Sequence, residues 1–336
     1  MRGITFSYFI QRLGIFFLTI WLAATIIWLI PHLAPGDPAE AIVARMSSQS
    51  GSVENADKII AGFKERFGLN DSLPVQYIRY LGNIAHMDFG YSMANFPSTV
   101  GEIIGLALPW TIGLLLLAAI ISFLLGNFLG AIMVWTRTPG LLKAIIPIGM
   151  IFTSLPPILA ALFVQYVFAV LLNWFPVSFA YDAGIQPGLS LDFIGSVIQH
   201  GTLPALAIVL TSFGLQTLGM RGMMITVEGE DYMSLARAKG LKPFYLLYRY
   251  SIRNAILPQI TSFAINIGTL VSGALLVEYA FTYQGMGFVT FNAINNQDFT
   301  VIQGTSFILI FTTALAVLII DLTYPLIDPR ITYARK

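Results

Sequence analysis

Long apolar runs constrain this 336-residue chain more than any other feature of its sequence. A helix needs about 20 mostly apolar residues to cross the hydrocarbon layer of a bilayer. Only 10% of the residues are charged, whereas a soluble domain of this size carries about a quarter. The sequence therefore predicts an all-α membrane protein with six transmembrane helices. The six apolar runs lie at roughly 9–30, 106–135, 144–172, 202–224, 259–280 and 302–325.

The first and third runs raise separate questions. The run from Phe9 to Ile30 is too long for a signal-peptide core, and no small-residue cleavage site follows it. We therefore interpret it as a retained first span. Pro156 and Pro157 interrupt the third run and predict a kink, which either shapes a pathway or only serves helix packing.

The placement of Lys and Arg predicts which side of the membrane each loop faces. Short cytoplasmic loops carry an excess of these residues. With six spans, both termini and the loops after the second and fourth spans lie on one side and are basic. On the other side, five basic residues all lie in the one long loop, namely Arg45, Lys58, Lys64, Arg66 and Arg79. Loops 173–200 and 281–301 on that side contain neither Lys nor Arg. Both termini are therefore predicted to be cytoplasmic.

This topology divides the chain into three parts. Residues 1–30 form the cytoplasmic N-terminal end and the first span, and residues 31–100 form a long extracytoplasmic loop. Residues 101–336 form a five-helix core whose cytoplasmic loop spans 225–258. In the long loop, Leu33 to Pro38 predicts a turn out of the membrane, and Lys58 to Phe67 has the apolar spacing of an amphipathic helix.

The stretch from Glu230 to Leu241 is charged although apolar runs flank it on both sides. A polar helix between two spans must lie at the water boundary, where it can contact a soluble partner. Gly240 suits the left-handed turn that ends a helix, because it has no Cβ to clash. Pro258 then marks the beginning of the fifth span.

Several kinds of chemistry find no support in the sequence. There is no phosphate-binding loop of the Gly-x-x-x-x-Gly-Lys-Ser/Thr type and no His-Glu-x-x-His zinc motif. The three histidines, His32, His86 and His200, are far apart, which favours scattered boundary residues over a metal relay. The nearly balanced charge indicates no nucleic-acid partner. We predict no catalytic residue, no metal site and no cofactor.

Polar residues within the predicted spans are the candidates for a solute pathway. Thr211, Gln216, Asn266 and Ser272 either line a pathway or form hydrogen bonds between helices. Glu278 lies near the outer end of the fifth span, and an ionisable group at that depth is a candidate functional residue. A structural role for Glu278 explains its position equally well.

Motifs along nearly the whole chain resemble one family. The coupling loop of ABC importer permeases from the dipeptide, oligopeptide and nickel family has the same pattern as Glu230-Asp231-Tyr232, Ala236 to Leu241 and Leu257-Pro258. Two departures are Gln284, where the family usually has Pro, and Glu-Asp-Tyr in place of the general Glu-Ala-Ala. The other matching segments are Arg12-Leu13, Pro35 to Pro38, Phe67 to Tyr77, Asp88 to Ser92, Leu108 to Thr111, Glu278 with Gly285-Met286-Gly287, and Asp328 to Arg330.

The resemblance implies a type I importer architecture and a role as the first of two paired permease subunits, without enzymatic activity of its own. It implies a heterodimer with a second homologous permease, two ABC ATPase subunits, an extracytoplasmic solute-binding protein and lipid, in the cytoplasmic (inner) membrane of a prokaryote. The residues implied to contact the ATPase are Glu230, Asp231, Tyr232, Ala236, Arg237, Lys239 and Gly240.

Short peptides are the expected solute, since the resemblance is nearest to dipeptide and oligopeptide permeases. Oligosaccharides and nickel complexes are the alternatives within the family. A membrane-embedded enzyme, an ion channel and a secondary transporter remain rival classes. They would require, respectively, a catalytic dyad, a selectivity filter, or repeated halves with more charge at mid-membrane depth, and the sequence has none of these features.

Overall fold

The computed structural model describes residues 6–33, 62 and 70–327, except for the side chains of residues 145, 264–267, 269–270 and 324–327. Three predicted features lie outside these residues. They are the turn from Leu33 to Pro38, the amphipathic helix from Lys58 to Phe67, and the closing motif Asp328-Pro329-Arg330.

The described residues form eleven α-helices and no β-strand, which confirms the all-α prediction. A 3₁₀ turn, Met150–Ser154, extends α4, and π-helical turns, Gln165–Leu171 and Leu246–Ile252, extend α5 and α8. The helices are α1 Phe6–Leu33, α2 Leu73–Ala85, α3 Val100–Val134, α4 Gly140–Gly149, α5 Pro157–Val164, α6 Leu191–Glu228, α7 Asp231–Ala238, α8 Pro243–Tyr245, α9 Arg253–Ala280, α10 Met286–Asn295 and α11 Phe299–Ile327.

Four of the described helices, α1, α3, α6 and α11, are long and apolar enough to cross a bilayer. The broken pair, Gly140–Ser154 and Pro157–Leu171, is a fifth candidate if its two parts count as one span. Helix α9 occupies the predicted fifth run, and its apolar segment among the fully described residues is Val271–Ala280, which is shorter than a span. The count of six spans therefore stays a prediction.

The third run extends from one end of the helix bundle to the other although it bends by 113° at its break. Its first part follows the C-terminal end of α3, where Val134 packs beside the charged segment 230–241. Its second part reaches the opposite end of α9, where the Gln165 amide donates a hydrogen bond to the Ala280 carbonyl oxygen at 3.3 Å. The predicted kink at the proline pair is thus a sharp bend between the two parts of the run.

Contacts between α1 and α11 bring the two ends of the described chain together. Arg12 forms an ion pair with Asp321 at 3.1 Å, and the Tyr8 hydroxyl donates to the Asp321 carbonyl oxygen at 3.0 Å. The first turns of α1 and the last turns of α11 therefore lie at the same end of the bundle. The prediction that both termini face the same side of the membrane requires this arrangement.

Glycines allow the backbones of α3 and α6 to come into direct contact. A Cβ on Gly126 would lie 2.6 Å from the Phe213 carbonyl oxygen, and one on Gly130 would lie 2.5 Å from that of Thr217. The two glycines are four residues apart, on one face of α3, which is the small-residue spacing that membrane helices use for close approach. This crossing holds α6 at the centre of the bundle.

The buried carboxylate of Asp298 attaches the segment before α3 to the start of α11. It accepts hydrogen bonds from the Ser92 hydroxyl at 2.5 Å, from the Ala94 N–H at 3.0 Å and from the Val301 N–H at 3.2 Å. Its position relative to Val301 is that of an N-cap residue. The motif Asp88 to Ser92 therefore has a structural role in the packing of this end of the bundle.

Candidate functional site

Helix α7 ends in a Schellman turn at Gly240. The Gly240 N–H donates to the Arg237 carbonyl oxygen at 2.9 Å, and the Leu241 N–H donates to that of Ala236 at 3.4 Å. Gly240 has a φ of +72°, which confirms the predicted left-handed helix end. These two bonds satisfy carbonyl groups that a helix end otherwise leaves unpaired.

One face of α7 packs against the rest of the chain. Met233 is 1% exposed and Ala236 is 3% exposed, three residues apart on the helix. They belong to a buried cluster at the ends of α3, α6 and α9 whose other members are Ala131, Met220, Met224, Val227, Leu246, Leu247 and Ala255. The resemblance implies that Ala236 contacts a partner, and within this chain its side chain packs in the buried cluster.

A polar network joins the end of α6 to α7 and to the turn after α8. The Arg237 guanidinium contacts the Glu228 carboxylate, and the Ser251 hydroxyl donates to the same carboxylate at 2.6 Å. Arg237 is therefore part of an internal ion pair as well as half exposed. Sequence reasoning did not identify Glu228 or Ser251, because their proximity depends on how the chain returns after Gly240.

The opposite face of α7 is exposed to solvent. Glu230, Asp231, Tyr232 and Lys239 are all exposed, and Glu230, Asp231 and Lys239 have no ion-pair partner among the described residues. Leu235 is 58% exposed on this face. Large apolar side chains are also exposed beyond the Gly240 turn, namely Phe244, Tyr245 and Tyr248. This end of the bundle thus presents both charge and apolar surface.

Two of the four polar pathway candidates line one pocket, which we call the central pocket. Thr211 and Gln216 of α6 face it, and it has a volume of about 160 Å³. Sequence reasoning missed its other polar residues, which come from three elements, because their convergence is tertiary. The pocket is lined by Ser122, Thr153, Leu155, Pro157, Ile208, Thr211, Ser212, Leu215, Gln216, Phe263, Gly273 and Ala274.

The other two candidates do not join the central pocket. Ser272 lines a separate groove of about 510 Å³ between α1, α9 and α11, and its hydroxyl donates to the Gly268 carbonyl oxygen at 3.1 Å. The side chain of Asn266 lies outside the description of the structure. Of the four residues, Thr211 and Gln216 therefore remain as neighbours in one site.

Glu278 caps a helix. It is fully buried, and its carboxylate accepts a hydrogen bond from the Gly287 N–H at 2.7 Å. The Thr111 hydroxyl accepts one from the Met286 N–H, also at 2.7 Å. Together they satisfy the first two donors of α10, whose own N-cap residue, Gly285, has no side chain. A carboxylate at a helix N-terminus is also favoured by the helix dipole.

This geometry favours a structural role for Glu278, and its role as a pathway residue stays a prediction. A Cβ on Gly285 would lie 2.5 Å from a Glu278 carboxylate oxygen, and one on Gly287 would lie 2.6 Å from the Leu275 Cα. The turn that the carboxylate caps therefore packs directly against it. The Gly285-Met286-Gly287 motif provides the space for this contact.

Each of the three histidines contacts a backbone carbonyl oxygen of its own segment, and the Nε2 atoms of His32 and His200 also lie 3.3 Å from Gln76 and 3.7 Å from Asp182. Each Nδ1 lies within 2.9 Å of the carbonyl oxygen four residues earlier, at Trp28 for His32, Gly82 for His86 and Ser196 for His200. Within the described residues, no group of three or more His, Cys, Asp or Glu side chains is arranged to hold a metal ion.

Comparison with known proteins adds evidence that does not depend on the geometry. The family model described as "Binding-protein-dependent transport system inner membrane component" matches residues 126–333. The oligopeptide transport system permease protein AppB of Bacillus subtilis is 32% identical over 334 residues, which cover 97% of this chain and 99% of that protein. The dipeptide transport system permease protein DppB of Alkalihalophilus pseudofirmus and the glutathione transport system permease protein GsiC of Salmonella paratyphi A are each 30% identical, with 97% and 99% coverage.

Proposed function

Because the chain belongs to the family of binding-protein-dependent transport system inner membrane components, we propose that it is a translocating subunit of an ATP-driven importer of short peptides. The observation that carries the proposal is the near full-length similarity to permease proteins of oligopeptide, dipeptide and glutathione transport systems. The solutes in these names are all short peptides, and they differ in length and side chains. These relatives together support short peptides as the solute class of this chain.

Helix α7 is the proposed docking element for the ATPase. Its exposed face has acidic residues at the beginning, Lys239 at the end and Leu235 between them. This pattern suits a cleft with a partly apolar floor and a polar rim, because charged groups at the rim fix orientation while apolar contacts supply affinity. Glu230, Asp231, Tyr232 and Lys239 are the proposed contacts.

The buried face of α7 explains how a movement of the ATPase reaches the membrane helices. Met233 and Ala236 pack on the ends of α3, α6 and α9, and Arg237 contacts Glu228 at the end of α6. Packed interfaces of this kind move as units and do not deform continuously. A displacement of α7 is therefore transmitted directly to α6 and α9, which line the central pocket.

The remaining partners and the orientation follow from the same proposal. ATP hydrolysis resides in two separate ATPase subunits, and an extracytoplasmic binding protein delivers the solute. A second, homologous permease completes the pathway as a heterodimer. The basic loops support a cytoplasmic position for α7 and both termini and an extracytoplasmic position for residues 31–100. The domain limits 1–30, 31–100 and 101–336, with coupling loop 225–258, belong to this proposal.

The solute is tested by uptake in cells that lack the gene. We expect the deletion to reduce uptake of labelled di- to pentapeptides and a plasmid copy to restore it, while uptake of labelled oligosaccharides stays unchanged. A strain without other peptide importers removes the background. Lost oligosaccharide uptake beside normal peptide uptake would assign the importer to sugars, and lost nickel uptake would assign it to metal complexes.

The docking role is tested separately with Glu230→Lys and Glu230→Gln. Reversal of the charge is expected to reduce binding-protein-stimulated ATP hydrolysis in proteoliposomes more than neutralisation does, because only reversal creates repulsion at the rim. Both variants should insert and assemble as membrane subunits, since Glu230 is exposed and makes no side-chain cap bond. Normal stimulated hydrolysis in Glu230→Lys would remove Glu230 from the interface.

A further inference from the structure

We propose that the central pocket binds the backbone amide groups of a peptide in transit, as a site with no charge preference. The inference rests on the proposed function and specifies which chemical group of the solute the permease contacts. The polar side chains of the pocket are four hydroxyls and one carboxamide, with no ionisable residue among its lining. Hydroxyl and carboxamide groups can both donate and accept hydrogen bonds, as a peptide unit does. The Thr153 and Thr211 hydroxyls already donate to backbone carbonyl oxygens, at 2.7 and 3.1 Å, so they offer acceptor oxygens to a peptide N–H.

Ser122 supplies an unsatisfied hydrogen-bonding group in the pocket. Its side chain is 1% exposed, and its hydroxyl has no hydrogen-bond partner within the part of the chain that the structure describes. A buried hydroxyl without a partner costs about 1–3 kcal/mol, so such groups in native proteins are normally paired. A group that enters the pocket from outside, either water or a peptide amide, provides the missing partner.

The break in the backbone beside the pocket leaves a second hydrogen-bonding group, a carbonyl oxygen, without its usual helical partner. Pro156 and Pro157 have no N–H, so the carbonyl oxygen of Thr153 loses the donor that residue 157 supplies in a continuous helix. Irregular backbone at membrane depth is tolerated where it is buried in protein or lines a hydrated cavity. Leu155 and Pro157 line the pocket directly, which places the break at the cavity wall.

Small residues bring the walls of the pocket together. A Cβ on Gly214 would lie 2.9 Å from the Thr153 hydroxyl oxygen, and one on Gly273 would lie 2.9 Å from the Pro157 Cγ. Thr153 itself is oriented, because its hydroxyl donates to the Met150 carbonyl oxygen at 2.7 Å. The break is therefore clamped between α6 and α9, both of which also pack against the buried cluster beside α7.

Because no charged side chain lines the pocket, its polar contacts with a solute are hydrogen bonds between neutral groups. A charged group here would favour one terminus or one side-chain type, at a high desolvation cost. Hydroxyls and a carboxamide instead recognise the group that every peptide repeats. At about 160 Å³ the pocket admits a peptide unit with its neighbouring atoms and not a whole oligopeptide. Successive units would therefore pass through it in turn.

Cysteine accessibility tests the proposal, because the natural chain contains no cysteine. Ser122→Cys replaces one oxygen atom with sulfur, and Thr211→Cys does the same and removes one methyl group. Each variant is introduced singly into the complete importer in proteoliposomes. A small water-soluble methanethiosulfonate reagent is applied during ATP turnover with the binding protein. Leu124→Cys is the matched control, because residue 124 is on the same helix as Ser122 but 61% exposed on the outside of the bundle.

We expect both pocket cysteines to react and tripeptide with binding protein to slow their labelling about fivefold, the effect of roughly one hydrogen bond. Labelling of Leu124→Cys should not respond to peptide. A tripeptide analogue with ester linkages in place of amides should protect less than the tripeptide. Two results overturn the inference: no reaction of either pocket cysteine, or reaction at the same rate with and without peptide.

The parallel uptake measurement separates this inference from the proposed function. The same proteoliposomes with the natural chain are tested for import of the labelled tripeptide. Import without protection of the pocket cysteines refutes the amide site and leaves the importer assignment intact. If the tripeptide is not imported, while an oligosaccharide is imported with its own binding protein, both the amide site and the assignment as a peptide importer are refuted. If one cysteine variant fails to assemble, the other supplies the result, because the two residues lie on different helices.

Discussion

Substitution of Gly240 isolates the contribution of one backbone conformation to coupling. Gly240 has a φ of +72°, and a Cβ added to it would meet nothing within 4 Å. Steric contact inside the chain therefore contributes nothing to the effect of a substitution. Only the cost of the left-handed conformation remains, which is about 1–2 kcal/mol for an ordinary L-residue.

The size of the effect should follow the backbone preference of the new residue. Asn tolerates the left-handed region best, Ala pays the ordinary cost, and β-branched Val pays more. The strain opposes the two hydrogen bonds that end α7 and withdraws Leu241 from its contact with the buried cluster. A cost of 1–2 kcal/mol corresponds to roughly a 5–30-fold change in an equilibrium constant. We expect the affinity of the ATPase for the permease to fall within that range in Gly240→Ala.

The assay is titration of the purified ATPase onto permease complexes in proteoliposomes, with ATP hydrolysis stimulated by the binding protein as a second readout. Gly229→Ala is the matched control. Gly229 is also exposed near α7, but its φ of −82° is accessible to any residue, and its nearest neighbour for a Cβ is 3.4 Å away. This control should behave as the natural protein does.

Two results would refute the reasoning. Natural affinity and stimulated hydrolysis in Gly240→Val would show that the end of α7 need not keep its left-handed turn. Equal losses in Gly240→Asn, Gly240→Ala and Gly240→Val would show that a Cβ collides with the partner, because backbone strain predicts losses that increase in that order.

Further predictions concern the caps, the packing and the topology. Glu278→Ala should lower the free energy of unfolding of the detergent-solubilised protein by about 1–3 kcal/mol, because it leaves the Gly287 N–H unpaired. Glu278→Gln should lower it less, because its carbonyl oxygen still accepts that hydrogen bond. Equal losses would argue against capping. Gly287→Ala should destabilise far more than Gly268→Ala, whose Cβ would be 3.7 Å from its nearest neighbour, in the same melting assay. Asp298→Asn should lower the melting temperature, because one acceptor oxygen cannot replace two that receive bonds from Ser92 and backbone N–H groups; an unchanged melting temperature would contradict this. An impermeant thiol reagent should label Ser52→Cys or Ser190→Cys in intact cells, and labelling of Thr332→Cys instead would contradict the topology.

Local features of the charged segment were predictable from its sequence. The end of α7 depends on the φ of one residue, and Gly240 is the residue type that adopts a positive φ without a steric cost. The partner of Arg237 was not predictable in the same way. Glu228 lies nine residues earlier and Ser251 fourteen later, on separate elements, so their meeting depends on the path of the chain between them.

Glu278 shows why a residue's type and depth do not determine its role. An acid near the end of a span is equally compatible with a pathway and with a cap. Helix α10 favours the cap, because it turns back after Ala280 and its Gly287 N–H donates to the carboxylate. Likewise, Thr211 and Ser272 have the same kind of position within apolar runs, yet only Thr211 faces the central pocket.

The sequence by itself determined the class of structure and the places of four apolar helices, and it predicts a boundary position for α7. These follow from the composition of each segment, because lipid forces every backbone group of a span to be satisfied within its own helix. Tertiary structure decided which polar side chains meet. That depends on the rotation and tilt of each helix against its neighbours, which are set by contacts such as those of Gly126 and Gly130 with α6 and not by any one segment.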